Sequence, residues 1–394
     1  MPSDIARLTL IVSGPGMNTI EIDYEPLPTS ITIEVPAGDN RQFELLTYVM
    51  GESAFPAYRG TVTSDLVVGQ PLSLHVVMVF VGGRFFVSNT GSNTVSVIDG
   101  VRNTVIATIP VGSGPRGIGV NPNTNRAYVA NQNDNTVSVI DTESYTVTKT
   151  LSVGGAPWAI GVNPVTNKIY VANYGDSFVS VINGVTDTLI TPVTITETEG
   201  IRIGVNPVTN KIYVVTEYTP SEGSVSVING ATDTEIVSLI VSLGAAGIIY
   251  PIGAGVVTST NRIYVASSSD NAVAVIDGAT DSWITGAGYP ITCSGGDYNN
   301  DVAVNPNTNR LYVPSDGNDI VAVIDVTAEV EITGPGYPIA VGNEPFALAV
   351  NPVSNRIFVA NWLGGNVSII DGLTDQVIGS VAVGTNPSFV AVFP

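Results

Sequence analysis

The chain has 394 residues, of which 44% are hydrophobic and 12% are charged, a composition that excludes an intrinsically disordered protein. Its 34 acidic and 14 basic residues give a net charge of −20, which excludes general binding to nucleic acids or to anionic membranes. A single cysteine, Cys293, excludes an intrachain disulfide framework and a paired-cysteine metal site, and no apolar run of about 18 residues is present to span a bilayer.

Residues 1–80 contain short segments in which apolar and polar residues alternate. Alternation with period two, interrupted by Gly, Pro and Asp, predicts half-buried antiparallel strands. The predicted strands are 7–12, 30–35, 41–48, 58–63 and 72–77. We therefore predict a small β-sandwich domain over 1–80. It resembles immunoglobulin-like modules, although the region has neither a cysteine pair nor a tryptophan.

Residues 81–394 are variations on one repeated unit. Its clearest copy begins with Asn-Pro-Asn-Thr-Asn-Arg-Ala-Tyr-Val-Ala-Asn at 121–131 and continues with Asn-Thr-Val-Ser-Val-Ile-Asp at 135–141. The aromatic residue of the unit recurs at intervals of 42 to 51 residues, at Phe86, Tyr128, Tyr170, Tyr213, Tyr264, Tyr312 and Phe358. Self-similarity of this length predicts a repeat architecture.

Each unit contains four short strands separated by Asn, Pro, Gly and Asp turns, and no segment has a helical period. This pattern predicts an all-β fold, a seven-bladed β-propeller over 81–394 with almost no helix. The first copy starts at its second strand, 84–88, whereas 388–393 is a surplus innermost strand. We expect this last strand to complete the first blade, which would leave the ring without an exposed edge.

The segments Ile-Tyr-Val-Ala-Asn, Val-Ser-Val-Ile-Asp-Gly and Gly-Val-Asn-Pro-x-Thr-Asn resemble the YVTN-type β-propeller repeats. Copies four to six depart from the motif, with Thr216, Ser267 and Ser315 at the position of its final Asn. The resemblance implies a secreted or cell-surface protein. The N-terminus, Met-Pro-Ser-Asp, lacks a basic and hydrophobic signal segment, so either the protein stays inside the cell or the sequence begins after a removed signal. The resemblance favours the second alternative. The resemblance implies no reaction, because propellers host many functions.

One basic residue precedes the second strand of every copy: Arg84, Arg126, Lys168, Lys211, Arg262, Arg310 and Arg356. The turn between the third and fourth strands carries Asp99, Asp141, Asn183, Asn229, Asp277, Asp325 and Asp371. Both sets should lie at one end of the blades, so we predict contacts between neighbouring turns and not a free anion-binding face. The Asp-Gly and Asn-Gly turns are typical of tight hairpins and lack calcium-loop spacing, so no metal or cofactor is predicted.

The opposite end of the blades holds the loops that lead into the innermost strands. One column of these loops differs among the copies: Arg116, Trp158, Ile201, Ile252, Asn300, Phe346 and Ser388. Three positions further on, the residues are all small: Gly119, Gly161, Gly204, Gly255, Ala303, Ala349 and Ala391. Small residues suit strands that crowd around an axis, so the variable column should surround the mouth of a central channel.

Acidic residues collect at this mouth, with Arg116 and Arg202 as counter-charges. They are Asp134, Asp176, Glu197, Glu199, Glu217, Glu222, Asp297, Asp301, Asp316, Asp319 and Glu344. An acidic, partly aromatic mouth suits a cationic or hydroxyl-rich ligand, such as a sugar stacked on Trp158 or Tyr298; the alternative is a solvated acidic surface. The insertions 286–290 and 334–338 should make the mouth uneven. The candidate ligand-binding residues are Arg116, Trp158, Arg202, Asp297, Tyr298, Asn300 and Phe346.

The only histidine, His75, lies in the predicted sandwich, which argues against His-based catalysis on the propeller. A carboxylate pair such as Glu197 and Glu199 leaves open an alternative function, a carbohydrate-active enzyme or lyase. We predict instead a non-enzymatic interaction or structural protein whose partner is a protein or a cell-surface glycan. The short link between the domains also allows homo-oligomers or a surface layer.

Overall fold

The computed structural model describes residues 5–24, 33, 35–49, 58–67, 79–80, 83–219, 222–241, 250–268, 270–294 and 300–393. These ranges hold 35 strands, no α-helix and one three-residue 3-10 turn, Asp316–Asn318. They contain no helix with the length and apolar character needed to cross a membrane. The chain divides into two compact units, Met1–Gly83 with Asp99–Arg102 and Arg84–Ile98 with Asn103–Phe393.

The N-terminal unit contains one antiparallel sheet. Its strands are β1 (Ile5–Ser13), β2 (Ile20–Tyr24), β3 (Gly38–Val49), β4 (Tyr58–Leu66) and β5 (Val79–Phe80), paired in the order β2-β1-β3-β4-β5. Three of the predicted strands coincide with β1, β3 and β4, whereas 72–77 with His75, and most of 30–35, lie outside the described residues. The described part of this unit holds a single sheet, so the two-layered sandwich stays a prediction.

The larger unit begins with β6 (Arg84–Asn89), β7 (Thr94–Asp99) and β8 (Thr104–Pro110). Three four-stranded sheets follow, numbered 2 to 4. Sheet 2 is β9 (Pro115–Asn121), β10 (Arg126–Asn131), β11 (Thr136–Asp141) and β12 (Thr146–Ser152). Sheet 3 is β13 (Pro157–Asn163), β14 (Lys168–Asn173), β15 (Phe178–Asn183) and β16 (Thr188–Thr194). Sheet 4 is β17 (Gly200–Asn206), β18 (Lys211–Thr219), β19 (Glu222–Asn229) and β20 (Thr234–Val241).

In sheets 5 and 6 the outermost strand is split into two short pieces. Sheet 5 is β21 (Pro251–Val257), β22 (Arg262–Ser267), β23 (Ala272–Asp277), β24 (Ser282–Trp283) and β25 (Ile291–Thr292). Sheet 6 is β26 (Ala303–Asn305), β27 (Arg310–Ser315), β28 (Ile320–Asp325), β29 (Val330–Glu331) and β30 (Ile339–Ala340). Sheet 7 is β31 (Pro345–Asn351), β32 (Arg356–Asn361), β33 (Asn366–Asp371) and β34 (Gln376–Ala382).

The last strand, β35 (Pro387–Phe393), pairs antiparallel with β6, with Val390 opposite Val87 and Phe393 opposite Arg84. Sheet 1 therefore has the order β35-β6-β7-β8 and is made from both ends of the larger unit. The predicted plan of all-β, four-stranded antiparallel sheets is confirmed.

The hydrophobic core lies between successive sheets. One cluster joins Tyr128 and Val139 of sheet 2 to Ile169 and Val171 of sheet 3, and all four side chains are fully buried. The second and third strands of each sheet are buried on both faces, whereas the outermost strand is largely exposed, as in β12. Each sheet therefore buries its apolar faces only against its neighbours.

The small column on the innermost strands has the predicted packing role. A Cβ atom added to Gly119 would lie 2.7 Å from Cγ2 of Ile160 on the next sheet, and one added to Gly255 would lie 2.6 Å from Cγ1 of Val302. Carbon atoms cannot approach this closely without displacement. Small residues are thus required because the branched side chains of each innermost strand pack against the backbone of the preceding one.

Five of the seven basic residues before the second strands form ion pairs with carboxylates that are not the predicted ones. Nζ of Lys168 lies 2.6 Å from Oδ2 of Asp233 on the following sheet, and the Tyr170 hydroxyl donates to the other oxygen at 2.9 Å. We call this arrangement, in which a cation and a tyrosine of one sheet hold a carboxylate of the next, the clamp. The described residues form five clamps, with the carboxylates Asp187, Asp233, Asp281, Glu329 and Asp375.

The predicted acceptors lie four residues before the actual ones, and most of them serve their own turn. Oδ1 of Asp371 accepts the backbone N–H groups of Leu373 at 2.8 Å and Thr374 at 3.1 Å. In this Asx turn, the aspartate side chain accepts the backbone N–H groups of its own turn, and no contact with the neighbouring sheet is needed. Arg126 also keeps a contact with one of the predicted acceptors, Asp141, at 2.5 Å.

Tyrosine and carboxylate vary together among the seven copies. Where the second strand carries Phe86, the clamp position of the next sheet holds Tyr145, whose ring centroid is 5.5 Å from the guanidinium carbon of Arg84. Where it carries Phe358, the position holds Asn103, whose Oδ1 accepts a hydrogen bond from Nη1 of Arg356 at 3.1 Å. A carboxylate is thus present only where a hydroxyl is present to donate to it.

The insertions 286–290 and 334–338 belong to the clamp end and not to the mouth, so the prediction that they make the mouth uneven is wrong. They lie between the two halves of the split outermost strands. The Tyr337 hydroxyl donates to Oδ2 of Asp375 at 2.5 Å, and the Tyr289 hydroxyl donates to Glu329. Each insertion therefore adds a second tyrosine to a clamp.

Replacing one clamp carboxylate tests its contribution to stability. Asp375 is fully buried and holds Arg310, Tyr312 and Tyr337, so we expect Asp375→Asn to lower the free energy of unfolding by about 2–3 kcal/mol. The matched control is Asp371→Asn, four residues away, where the change should stay within about 0.5 kcal/mol because Asn183 caps the equivalent turn of sheet 3. Equal losses in urea unfolding for the two variants would contradict the clamp.

Alkaline pH should unfold the protein through its clamp tyrosines. Burial, with the adjacent carboxylate, raises the pKa of the hydroxyls of Tyr128, Tyr170, Tyr213, Tyr264 and Tyr312. Their stabilising contribution is complete below the unfolded pKa of about 10 and is lost as the pH rises towards the folded value. Spectrophotometric titration should show fewer than the 15 tyrosines ionising before unfolding. Ionisation of all 15 near pH 10 in the folded protein would contradict this.

Candidate functional site

In five of the sheets, two positions meet at the end opposite the clamps. The inner mouth position is the variable column predicted from the sequence, and the outer mouth position is the residue directly after the second strand. In sheet 2 they are Arg116 and Gln132, and Nε of Arg116 donates to Oε1 of Gln132 at 3.1 Å. The two come together because Pro115 is paired with Asn131 in the β9–β10 ladder.

Similar contacts join the two positions in four more sheets. The ring centroids of Trp158 and Tyr174 are 5.5 Å apart, as are those of Phe346 and Trp362. Two further pairs are polar: Asn300 donates to Asp316 at 2.9 Å, and Thr90 donates to Ser388 at 2.9 Å. The outer mouth position was not predicted. Its signal was available, because it also differs among the copies and directly follows the Tyr-Val-Ala-Asn motif.

Arg116 lies among aromatic rings that come from two other sheets. Its guanidinium carbon is 4.3 Å from the ring centroid of Trp158, 5.0 Å from that of Trp362 and 6.0 Å from that of Phe346. A cation over the face of an aromatic ring is attracted by the ring's quadrupole, most strongly for tryptophan. The structure thus brings three predicted site residues together and adds Trp362 to them.

Arg202 occupies a neighbouring column that is small in four sheets, where it holds Gly117, Ala159, Gly253 and Ala347. The other two exceptions in this column are Asp301 and Phe389. Nε of Arg202 lies 3.7 Å from Oδ1 of Asp301, and its guanidinium carbon is 4.2 Å from the Phe389 ring centroid. Nη2 also donates to the Asn300 carbonyl at 3.0 Å. Residues of sheets 4, 6 and 1 therefore meet below Arg116, with Arg202 only 4% exposed.

Burial governs the electrostatics of this cluster. Loss of water lowers the pKa of Arg202 and raises that of Asp301, and the attraction between the two groups offsets each shift in part. Burial, followed by the positive charge of Arg202, lowers the pKa of Arg116 to about 10. Among the described carboxylates, only Asp301 forms an ion pair with either arginine, so the centre of the mouth carries one excess positive charge.

Most described acidic residues of the mouth hold loops in place. Oδ2 of Asp134 accepts the Ser113 N–H at 2.6 Å, and Oδ2 of Asp176 accepts the Gly155 N–H at 2.5 Å. Asp319 likewise accepts the N–H of Glu344 at 2.8 Å. The described mouth thus has a cationic and aromatic centre, and acidic residues lie in the loops around it.

Two candidate residues, Asp297 and Tyr298, lie outside the described residues. The described part of the chain also holds no group of three or more His, Cys, Asp or Glu side chains arranged to bind a metal ion. Cys293 is buried in the core between sheets 5 and 6, away from these residues. The chemistry that the described mouth offers is thus recognition through a guanidinium and aromatic faces.

Breaking the buried ion pair tests the arrangement below Arg116. Asp301→Asn leaves Arg202 buried without its counter-charge, so we expect a loss of about 3–5 kcal/mol in the free energy of unfolding. The double variant Arg202→Met, Asp301→Asn removes both charges and should be more stable than Asp301→Asn alone. Urea unfolding measures both effects, and strictly additive losses from the two substitutions would argue against a buried pair.

Comparison with known proteins identifies no family for this chain: no protein-family model matches it. A PE-PGRS family protein of Mycobacterium tuberculosis, PE_PGRS18, is 56% identical over 50 residues, a match that covers 13% of this chain and 11% of that relative.

Two solved structures share the fold. One is the hydrazine synthase of Kuenenia stuttgartiensis, with a TM-score of 0.63, 16% identity, and coverage of 78% of this chain and 99% of that chain. The other is a functionally unknown protein from Desulfotomaculum acetoxidans, with a TM-score of 0.64, 11% identity, and coverage of 79% and 98%. At these identities the likeness extends to the propeller-like fold alone.

Proposed function

We propose that sheets 1 to 7 form a closed seven-bladed β-propeller over 81–394, preceded by a small β-sandwich at 1–80. Three contacts support closure of the ring. Strand β35 is paired with β6, Arg356 of sheet 7 donates to Asn103 of sheet 1, and Arg116 of sheet 2 packs on Trp362 of sheet 7. A ring of this kind has no open sheet edge between its first and last repeats.

The function that the mouth supports best is non-enzymatic recognition of a cell-surface glycan by a secreted or surface protein. The observation that carries this proposal is the placement of Arg116 between Trp158 and Trp362. Sugar rings pack their C–H faces on indoles, and their hydroxyl groups accept hydrogen bonds from a guanidinium. The extracellular setting rests on the resemblance to YVTN-type repeats.

Binding is favoured over catalysis by the state of the mouth carboxylates. Asp134, Asp176 and Asp319 accept backbone N–H groups, and Asp301 is paired with Arg202. A glycosidase needs two carboxyl groups that flank the scissile glycosidic bond, one of which must be protonated to serve as the general acid. The carboxylates that accept backbone N–H groups instead fix the conformation of the loops that form the binding surface.

A glycan array with the purified chain tests the proposed function. We expect binding to saccharides that falls at least about tenfold in Trp362→Ala, because the partly exposed aromatic face is lost. The matched control is Trp283→Ala, in the outermost strand of sheet 5, which should bind like the unmodified chain. Unchanged binding by Trp362→Ala, or no saccharide bound by the unmodified chain, would contradict the proposal.

A further inference from the structure

Arg116 differs from the cations of the five clamps. Each clamp cation is paired with a carboxylate of the following sheet, as Lys211 is with Asp281 at 2.7 Å. Arg116 instead has one hydrogen bond, from Nε to the neutral amide of Gln132, and its terminal nitrogens lie among aromatic rings. In the part of the chain that the structure describes, no carboxylate pairs with it.

A partly buried guanidinium in this position favours an anion from solution. Burial removes part of its hydration, and the nearby charge of Arg202 adds repulsion that only a negative group relieves. The terminal nitrogens of arginine form a planar fork that matches the two oxygens of a carboxylate. The geometry therefore provides a donor for a bidentate contact and leaves the acceptor to a ligand.

Trp362 is the ring best placed to pack against the body of such a ligand. Trp158 packs against three hydrophobic core clusters, so much of its surface serves the fold. Trp362 stands in the loop after β32, in contact with Phe346 and Arg116 and outside those clusters. A partly exposed indole beside a guanidinium suits a sugar ring that carries a carboxylate.

The acidic surroundings limit the charge that the ligand can carry. The chain has a net charge of −20, and Asp134 and Asp316 lie in the loops of the same mouth. A group with one negative charge is repelled less by these residues than a phosphate with two. This favours a carboxylate over more highly charged anions.

We propose that Arg116 binds the carboxylate of a uronic acid within an acidic glycan, with the sugar ring packed on Trp362. This inference rests on the proposed function and specifies its ligand class. The ligand carboxylate would pair with Arg116, which has no carboxylate partner among the described residues, as the clamp carboxylates pair with their cations.

The test uses uronate oligosaccharides and their carboxyl-reduced counterparts, which differ only in having an alcohol in place of the carboxylate. Calorimetric titration of the full chain should show the uronates binding at least about tenfold more tightly than the reduced forms. Arg116→Gln should abolish this preference. The control Lys149→Gln removes the same charge from an exposed strand and should keep it.

The possible outcomes separate the inference from the function on which it rests. Equal affinity for uronates and reduced forms overturns the inference and leaves glycan binding intact. A preference for sulfated glycans over uronates overturns it as well, and no binding of any saccharide overturns both. If Arg116→Gln lowers the melting temperature too far to be titrated, the comparison of the two ligand sets on the unmodified chain decides alone.

Discussion

The fold depends on contacts that hold one sheet against the next. A single four-stranded sheet of this chain is apolar on both faces of its middle strands and cannot be stable alone. Packing on the small column holds neighbouring sheets together near their innermost strands, and the clamp fixes them at one end. Because the clamp combines a cation, a hydroxyl and a carboxylate, it constrains orientation, which hydrophobic packing alone does not.

Because the clamps hold the sheets together at one end, the residues at the opposite end, the mouth, can differ from copy to copy. The clamp end repeats almost the same chemistry from sheet to sheet, whereas the inner and outer mouth positions differ in nearly every copy. Arg202, Asp301 and Phe389 replace small residues there and fill the space below Arg116. The buried pair is costly in desolvation, so it adds little net stability, and its contacts instead connect sheets 4 and 6 near Arg116.

Periodic features could be predicted from the sequence, and contacts between copies could not. The four-stranded sheets and the small column could be predicted from the spacing of the repeats alone, because the same pattern recurs at the same position in each copy. The clamp acceptors were missed because Asp371 and its equivalents looked like partners for the cations, whereas an Asx turn uses them locally. The position of Asp375, four residues later, also carries a carboxylate in five copies, but only the neighbouring sheet shows that this carboxylate contacts Tyr312.

At the mouth, too, the repeat pattern predicts positions within each copy but not contacts between copies. Arg116, Trp158, Asn300 and Phe346 were predicted from one aligned column. Arg202 was predicted as a counter-charge at the mouth, and it lies near Asn300 and Phe346. The stacking of Arg116 on Trp362 could not be predicted, because it joins copies that are far apart in the chain and depends on how the sheets are arranged. The sequence also predicted that Arg116 and Arg202 both neutralise acidic residues of the mouth. In the structure, only Arg202 forms an ion pair with a described carboxylate.

Closure of the ring is the claim on which the mouth depends, and native-state hydrogen exchange tests it most directly. The amides of β6 and β35 should exchange as slowly as those of β13 and β14 in sheet 3, because a closed ring opens as one cooperative unit. Much faster exchange in β6 and β35 than in β13 and β14 would show that the first and last repeats are an open edge, and would contradict the account.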